Sequence, residues 1–185
     1  MHILVEGHTD KDFLELYCKY LNIEVRIDIV DGKDNLINRI NLIRDDEKHL
    51  IIFDADDDYS NSKDNIENQM KQMNIPKENY EIFLLPNNED DGNLEILIEK
   101  IARHKELLNC FESYEKCING LVSKNNNIKP PNKKDKIFAY MQSFGFKNPI
   151  KPKEFDLSIY VDFEDKYLET LKDFLLDHNI NKWKF

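Results

Sequence analysis

The chain has 185 residues, is 41% hydrophobic and 34% charged, and carries a net charge of −10. That length supports one domain with a real core, or one domain with a helical appendage, and the composition is globular rather than disordered. No apolar run approaches the roughly 20 residues needed to cross a bilayer, the N-terminus enters a strand pattern at once and carries acid by Glu6, unlike a secretory leader, and the acidic total argues against indiscriminate nucleic-acid binding.

In chain order, a first strand is predicted at about residues 2–5. A helix follows over 10–21, with Phe13, Leu14, Leu16, Tyr17, Cys18 and Leu21 as its apolar stripe and Thr9 or Asp10 as its cap. The second strand, 24–30, alternates Val25, Ile27 and Ile29 before Asp31-Gly32 turns the chain. A helix over 35–44 is expected to turn Leu36, Ile37, Ile40 and Ile43 inward. The third strand is 49–53. A helix over 62–73 stops before Pro76, and the fourth strand, 80–85, stops at Pro86. Helices return at 94–103 and 105–118. A long loop at 119–134 contains Gly, Pro-Pro and Asn-Asn-Asn, and helices at 135–143 and 163–179 finish the chain. Four strands alternating with helices specify right-handed βαβ units. The expected fold is α/β and Rossmann-like, a mainly parallel sheet of about four strands flanked by helices, with a C-terminal helical extension.

Charge is unevenly spread. Residues 116–153 hold nine lysines against one acid, Asp135, so this segment is +8 and the remainder is −18. An acidic body with a basic flap or edge is one reading; a solubilising loop is the other. Cys18, Cys110 and Cys117 have no CxxC spacing. This sparse, odd set predicts reduced thiols packed in helices, a cytoplasmic location and no structural zinc site. His2, His49, His104 and His178 show no ligand spacing, His8 reads as an exposed loop residue, and Trp183 is expected to pack on the last helix.

Two apolar runs end in acid: His2-Ile3-Leu4-Val5-Glu6-Gly7, and Leu50-Ile51-Ile52-Phe53-Asp54-Ala55-Asp56-Asp57-Asp58. Parallel strands gather ligands at their carboxyl ends, so Glu6, Asp54 and Asp56 are predicted to converge on one rim. Adjacent carboxylates repel unless a cation separates them, and oxygen ligands select Mg²⁺ or Mn²⁺. Asp54 and Asp56 sit at i and i+2 of an extended run, on one side, where both can hold one ion. A solvated acidic turn is the alternative. Asp58 continues the phase as a third ligand or caps the next helix, while Asp57 and the run Glu89, Asp90, Asp91 read as surface. Gly7 is expected to permit a tight backbone turn beside the site. No GxxxxGK[ST] loop is present, so the chain is not a P-loop ATPase.

The pattern Val5-Glu6-Gly7-His8-Thr9-Asp10-Lys11-Asp12-Phe13, with Asp54-Ala55-Asp56, resembles the Toprim domain. That domain is shared by primases, topoisomerases, a ribosomal-RNA maturation ribonuclease and the overcoming-lysogenization-defect nucleases. The Glu-Gly-x-x-Asp spacing is most similar to the last of these and to small stand-alone Toprim proteins. Gly32-Lys33-Asp34-Asn35-Leu36, Leu85-Pro86-Asn87-Asn88 and Gly92-Asn93-Leu94-Glu95 fit the stand-alone group. Haloacid-dehalogenase-type phosphatases and receiver domains place their paired acids after the first strand instead. The resemblance covers about residues 2–103. It implies a Toprim α/β domain at 1–103, with a helical extension and lysine-rich loop at 104–185 packed on it.

The resemblance implies metal-dependent phosphodiester chemistry on DNA or RNA, with two Mg²⁺ or Mn²⁺ ions. Glu6, Asp54 and Asp56 would hold them, with Asp10 and Glu95 as further ligands; Glu6 is assigned to acid–base work or to metal. Helix capping is the other reading of Asp10 and the helix dipole the other reading of Glu95. Lys136, with Lys133 and Lys134 beside it, is the candidate for neutralising transition-state charge, and Lys33 for a phosphate contact. A second reading is a regulatory subunit that binds metal without turnover and acts beside an ATPase in anti-phage defence. The ribosomal-RNA maturation activity is a third. A homodimer is open to such a chain.

Overall fold

The apolar runs become strands, the central two, at residues 2–5 and 49–54, buried on both faces. β1 (His2–Val5), β2 (Arg26–Ile29), β3 (His49–Asp54) and β4 (Tyr80–Leu85) form one parallel sheet in the order β2-β1-β3-β4. The structure is a computed structural model that describes residues 1–44, 47–145 and 159–179. Because strand side chains alternate, Ile3, Val5, Leu50, Ile52, Phe83 and Leu85 enter one core and Leu4, Ile51, Phe53 and Leu84 the other. The first core is covered by α1 (His8–Tyr20) and α3 (Leu94–Ile101), the second by α2 (Tyr59–Gln72). Each such side chain contributes about 1.5–3 kcal/mol through its burial. This is the expected α/β, Rossmann-like arrangement.

The C-terminal helices join the first core. α4 (Lys105–Val122) contributes Leu108; α5 (Lys133–Gln142) contributes Ile137, Tyr140 and Met141; α6 (Glu169–Asn179) contributes Leu171 and Leu175. No helix among the described residues is long and apolar enough to cross a membrane.

Several boundaries differ from expectation, each for a local reason. The helix expected at 35–44 is a 3₁₀ stretch, Leu36–Leu42, broken by non-helical backbone at Arg39. Asn35 at its N-cap and Asn38 and Asn41 within it compete with helical backbone, and of its apolar residues only Leu36 is buried, while Ile40 points out at 50% exposure. α1 begins earlier than predicted, with Gly7 rather than Thr9 or Asp10 at its N-cap. α2 begins at Tyr59 because Asp58 caps it, accepting from the Asn61 N–H at 2.9 Å. α4 runs four residues past 118, carrying Gly120 inside its last turn despite the low helix propensity of glycine. The last helix starts at Glu169, not 163: Val161 is held in a bridge to Ala102 and Asp165 caps a short 3₁₀ turn. Cys18 is buried, but Cys110 and Cys117 are exposed, because α4 lays so little of its surface against the core. Trp183 and the lysines at 147, 151 and 153 lie outside the described residues.

Candidate functional site

A strand order of β2-β1-β3-β4 creates a switch point between β1 and β3, where successive connections leave in opposite directions. Crevices that hold ligands open there, beyond the carboxyl ends of the strands. Glu6 follows β1 and Asp54 ends β3. The two acids therefore flank the switch point.

Backbone donors fix both. Glu6 Oε1 accepts from the Asp54 N–H at 3.0 Å. Asp54 Oδ1 accepts from the Leu94 N–H at 3.0 Å, at the start of α3. The Glu6 carbonyl is held in turn by the N–H groups of Asp31 and Gly32, at 3.0 and 3.1 Å. Asp10 Oδ2 accepts from the Gly7 N–H at 2.8 Å. Glu95 enters from the first turn of α3 and is 13% exposed. One oxygen each of Glu6, Asp10 and Asp54 is thus committed to the backbone, leaving the second for a ligand.

The electrostatics follow from partly burying these acids near one another. Burial raises Asp54 to about 9, reinforced by the charges of Asp10, Glu6 and Glu95. Burial likewise raises Glu6 to about 7, against the Asp54 N–H bond and with Asp10 and Asp56 adding to the rise. Asp10 rises to about 6 through burial and the Glu95 charge, opposed by the Gly7 N–H and Lys134. The rim still spreads wider than one ion's coordination sphere: among the described residues, no three of its acids bring ligating oxygens within 4.8 Å of one another.

Asp56 and Asp58 depart from the extended-strand expectation. The strand ends at Asp54, and Asp56 takes a left-handed backbone (φ +53°) that bridges to Gly92. Its carboxylate pairs with the Lys33 ammonium beside a cavity of about 540 Å³ lined also by Asp57, Asp58 and Asn61. Asp54 and Asp56 therefore do not share one direction. Asp56 and Lys33 still act on Glu6 through their charges. Asp58 serves as the cap of α2, its carboxylate engaged by Asn61. Gly7 corrects another expectation: its backbone is extended (φ −142°), which any residue adopts.

Besides Lys33, which pairs with Asp56, Lys134 of α5 reaches the acids, 4.0 Å from Glu95. Lys136 is instead held by Glu99 at 2.8 Å and Glu112 at 2.9 Å, joining α5 to α3 and α4. The side chain of Lys133 lies outside the described residues. Sequence reasoning missed the Lys134–Glu95 approach because it depends on how α5 packs on α3; the two-residue offset from Lys136 was the one available signal.

A family model described as a protein of unknown function, DUF3226, matches residues 1–178. The chain belongs to the DUF3226 family. No curated protein and no solved structure matches it.

In this DUF3226 chain the two glycines of the rim predict opposite outcomes. A Cβ on Gly92, at φ +143°, would lie 2.9 Å from Ile96 Cδ1 and 3.1 Å from Pro86 Cδ. Gly92→Ala is expected to destabilise the fold by about 2 kcal/mol or more. A Cβ on Gly7 would meet Asp10 Oδ2 at 3.4 Å, an ordinary contact. Gly7→Ala should leave stability within about 0.5 kcal/mol. Parallel urea titrations check both, and equal midpoints for the two variants would refute the assignment.

Proposed function

We propose that this chain is a Toprim-type phosphodiesterase that cleaves nucleic acid with divalent metal, Mg²⁺ or Mn²⁺. The observation that supports the reading is the electrostatic coupling of Glu6, Asp10, Asp54 and Glu95 around the switch point, all-oxygen donors suited to hard cations. Glu6, Asp54, Asp10 and Glu95 would hold the ions, with Asp56 at the margin. Such ions, when bound, supply an activated water and charge neutralisation at phosphate.

The chain's own groups do the rest. Without metal, burial raises Glu6 to about 7. A Glu6 that stays off the ions would be suited to take a proton from an attacking water, and one that binds them would act as a ligand. Lys33 and Lys134 offer exposed ammonium groups beside the acids for the phosphate backbone. Contacts of that kind read no bases, so sequence preference should be slight, and salt should weaken binding steeply. Lys134→Ala is expected to lower the slope of log affinity against log salt by about 1. Lys136→Ala should act on stability instead, since it strands Glu99 and Glu112. The compartment proposed for this activity is the cytoplasm, which keeps three unpaired thiols reduced.

The decisive experiment is cleavage of supercoiled plasmid, single-stranded DNA and structured RNA by the purified chain in Mg²⁺ or Mn²⁺. Metal-dependent cutting should fall at least about 100-fold in Asp54→Ala and Glu6→Gln. Unchanged cutting in both variants would sink the proposal.

One observation favours a second reading. Lys136 is tied to two carboxylates, and the rim acids stand apart. A subunit that binds metal but needs an ATPase partner to close its site would show this. Metal binding with no cutting alone, and cutting when a co-purified ATPase is added, would select it.

A further inference from the structure

At the end of the sheet opposite the acidic rim, two histidines meet. His2 and His49 open β1 and β3 and are register partners. Both are fully buried, with Nδ1 of one 2.7 Å from Nδ1 of the other. Their outer nitrogens are engaged. His2 Nε2 lies 3.0 Å from Asp28 Oδ2, and His49 Nε2 lies 2.9 Å from both the amide nitrogen and the carbonyl oxygen of Arg44. Glu47 Oε1 stands 3.9 Å from His2 Nδ1, and the ligating atoms of His2, Glu47 and His49 all fall within 4.8 Å of one another.

The Arg44 backbone decides what the pair does. When its N–H donates to His49 Nε2, the His49 proton sits on Nδ1 and bridges to His2, whose Nε2–H donates to Asp28. That is a closed, metal-free chain. When His49 Nε2–H donates to the Arg44 carbonyl instead, both Nδ1 atoms carry lone pairs aimed at one point. Such lone pairs repel unless a cation lies between them. Moving one proton across one imidazole thus turns a hydrogen bond into two metal ligands, with an acceptor already in place on each outer nitrogen.

We propose that His2, His49 and Glu47 form a binding site for a borderline divalent transition metal such as Zn²⁺, joining the amino ends of the two central strands. Two imidazoles and a carboxylate suit that class rather than Mg²⁺ or Mn²⁺. With metal–nitrogen distances of about 2.0 Å, tetrahedral ligands lie about 3.3 Å apart, so the rings need to separate by about 0.6 Å. Asp28 and the Arg44 carbonyl are the outer partners that hold each ring in its ligating tautomer. Arg26 holds the same Glu47 oxygen at 2.6 Å and lies 3.5 Å from Asp28. On metal binding the guanidinium keeps Asp28 while Glu47 turns inward. Glu47, 30% exposed, is the side of entry.

The test uses the full chain, stripped with chelator and titrated with Zn²⁺ against a chromophoric competitor, and with Co²⁺ read by its visible absorption. One equivalent should bind, with the intense bands of tetrahedral Co²⁺. Asp54→Asn, at the opposite rim, should retain it. Glu47→Gln and His49→Gln should each weaken it at least about 10-fold, and Asp28→Asn about 10–100-fold. Should His49→Gln fail to fold, Glu47→Gln, on a part-exposed side chain, carries the test. Wild type binding Zn²⁺ no tighter than Glu47→Gln, or loss in Asp54→Asn instead, would overturn the proposal. Loss in Glu47→Gln leaves cleavage at the acidic rim untouched, since the two sites share no residue, whereas loss in Asp54→Asn would place the ion at the rim.

Discussion

Asp54→Asn is expected to abolish metal-dependent cleavage and, in chelator, to make the protein more stable by about 2 kcal/mol. The two effects have one cause. Burial and the neighbouring acids raise Asp54 from 3.8 to about 9, so folding at neutral pH forces a proton onto a group that is ionised when unfolded. The work spans a little over three pH units at about 1.4 kcal/mol each, a ceiling of about 4 kcal/mol. Water entry and relaxation of the rim lower the ceiling. Asparagine keeps an oxygen for the Leu94 N–H and needs no proton. It also removes a negative neighbour from Glu6 and Asp10. At this chain length 2 kcal/mol corresponds to about 4–8 °C in melting temperature. A lower melting temperature for Asp54→Asn in chelator would refute the electrostatic account of the rim. Retained cleavage would refute its chemistry.

The second large effect is on the pH dependence of stability, with its sign set by metal. An acid whose folded pKa is raised binds more protons folded than unfolded, so its contribution falls as pH rises through that window. For Glu6 the window runs from 4.5 to about 7 and for Asp54 from 3.8 to about 9. His2 acts oppositely. Burial, with the nearby charges of Arg26 and His49, lowers it from 6.5 to about 4, so its contribution is complete above 6.5 and lost below. The range from pH 6.5 to 8.5 therefore isolates the rim. In chelator, the melting temperature should fall by several degrees across that range. In millimolar Mn²⁺ or Mg²⁺ the fall should disappear or reverse, because the metal favours the ionised carboxylates that the metal-free rim resists. Identical pH profiles with and without the cation would count against any metal at Glu6 and Asp54.

Most of the architecture was legible because it is written in short-range patterns. Apolar runs of four to six residues, each closed by turn residues, marked all four strands, and parallelism followed from the helices between them. That parallelism alone brought Glu6 and Asp54 to one rim. What failed depended on backbone detail. The same-side placement of Asp54 and Asp56 assumed an extended chain, and a left-handed residue at Asp56 broke it. Gly7 suggested a strained turn, whereas Gly92 carries one. Lys136 looked free because its captors, Glu99 and Glu112, come from two other helices. The His2–His49 pair was invisible for a related reason. Strand register makes it, and register is not a spacing.

The central place of β1 also governs how this chain must fold. Its partners on the β3 side are 47 residues away in sequence, as the His2–His49 contact illustrates. No hairpin can nucleate such a sheet. Every strand pairing closes a long loop before it gains burial, which slows folding relative to chains with local contacts. During synthesis, β1 emerges first and waits, apolar and half-paired, until Asp54 has left the ribosome. A nascent chain stalled before that point should therefore bind chaperones, whereas one that has also released β4 and the helices covering the first core should resist protease.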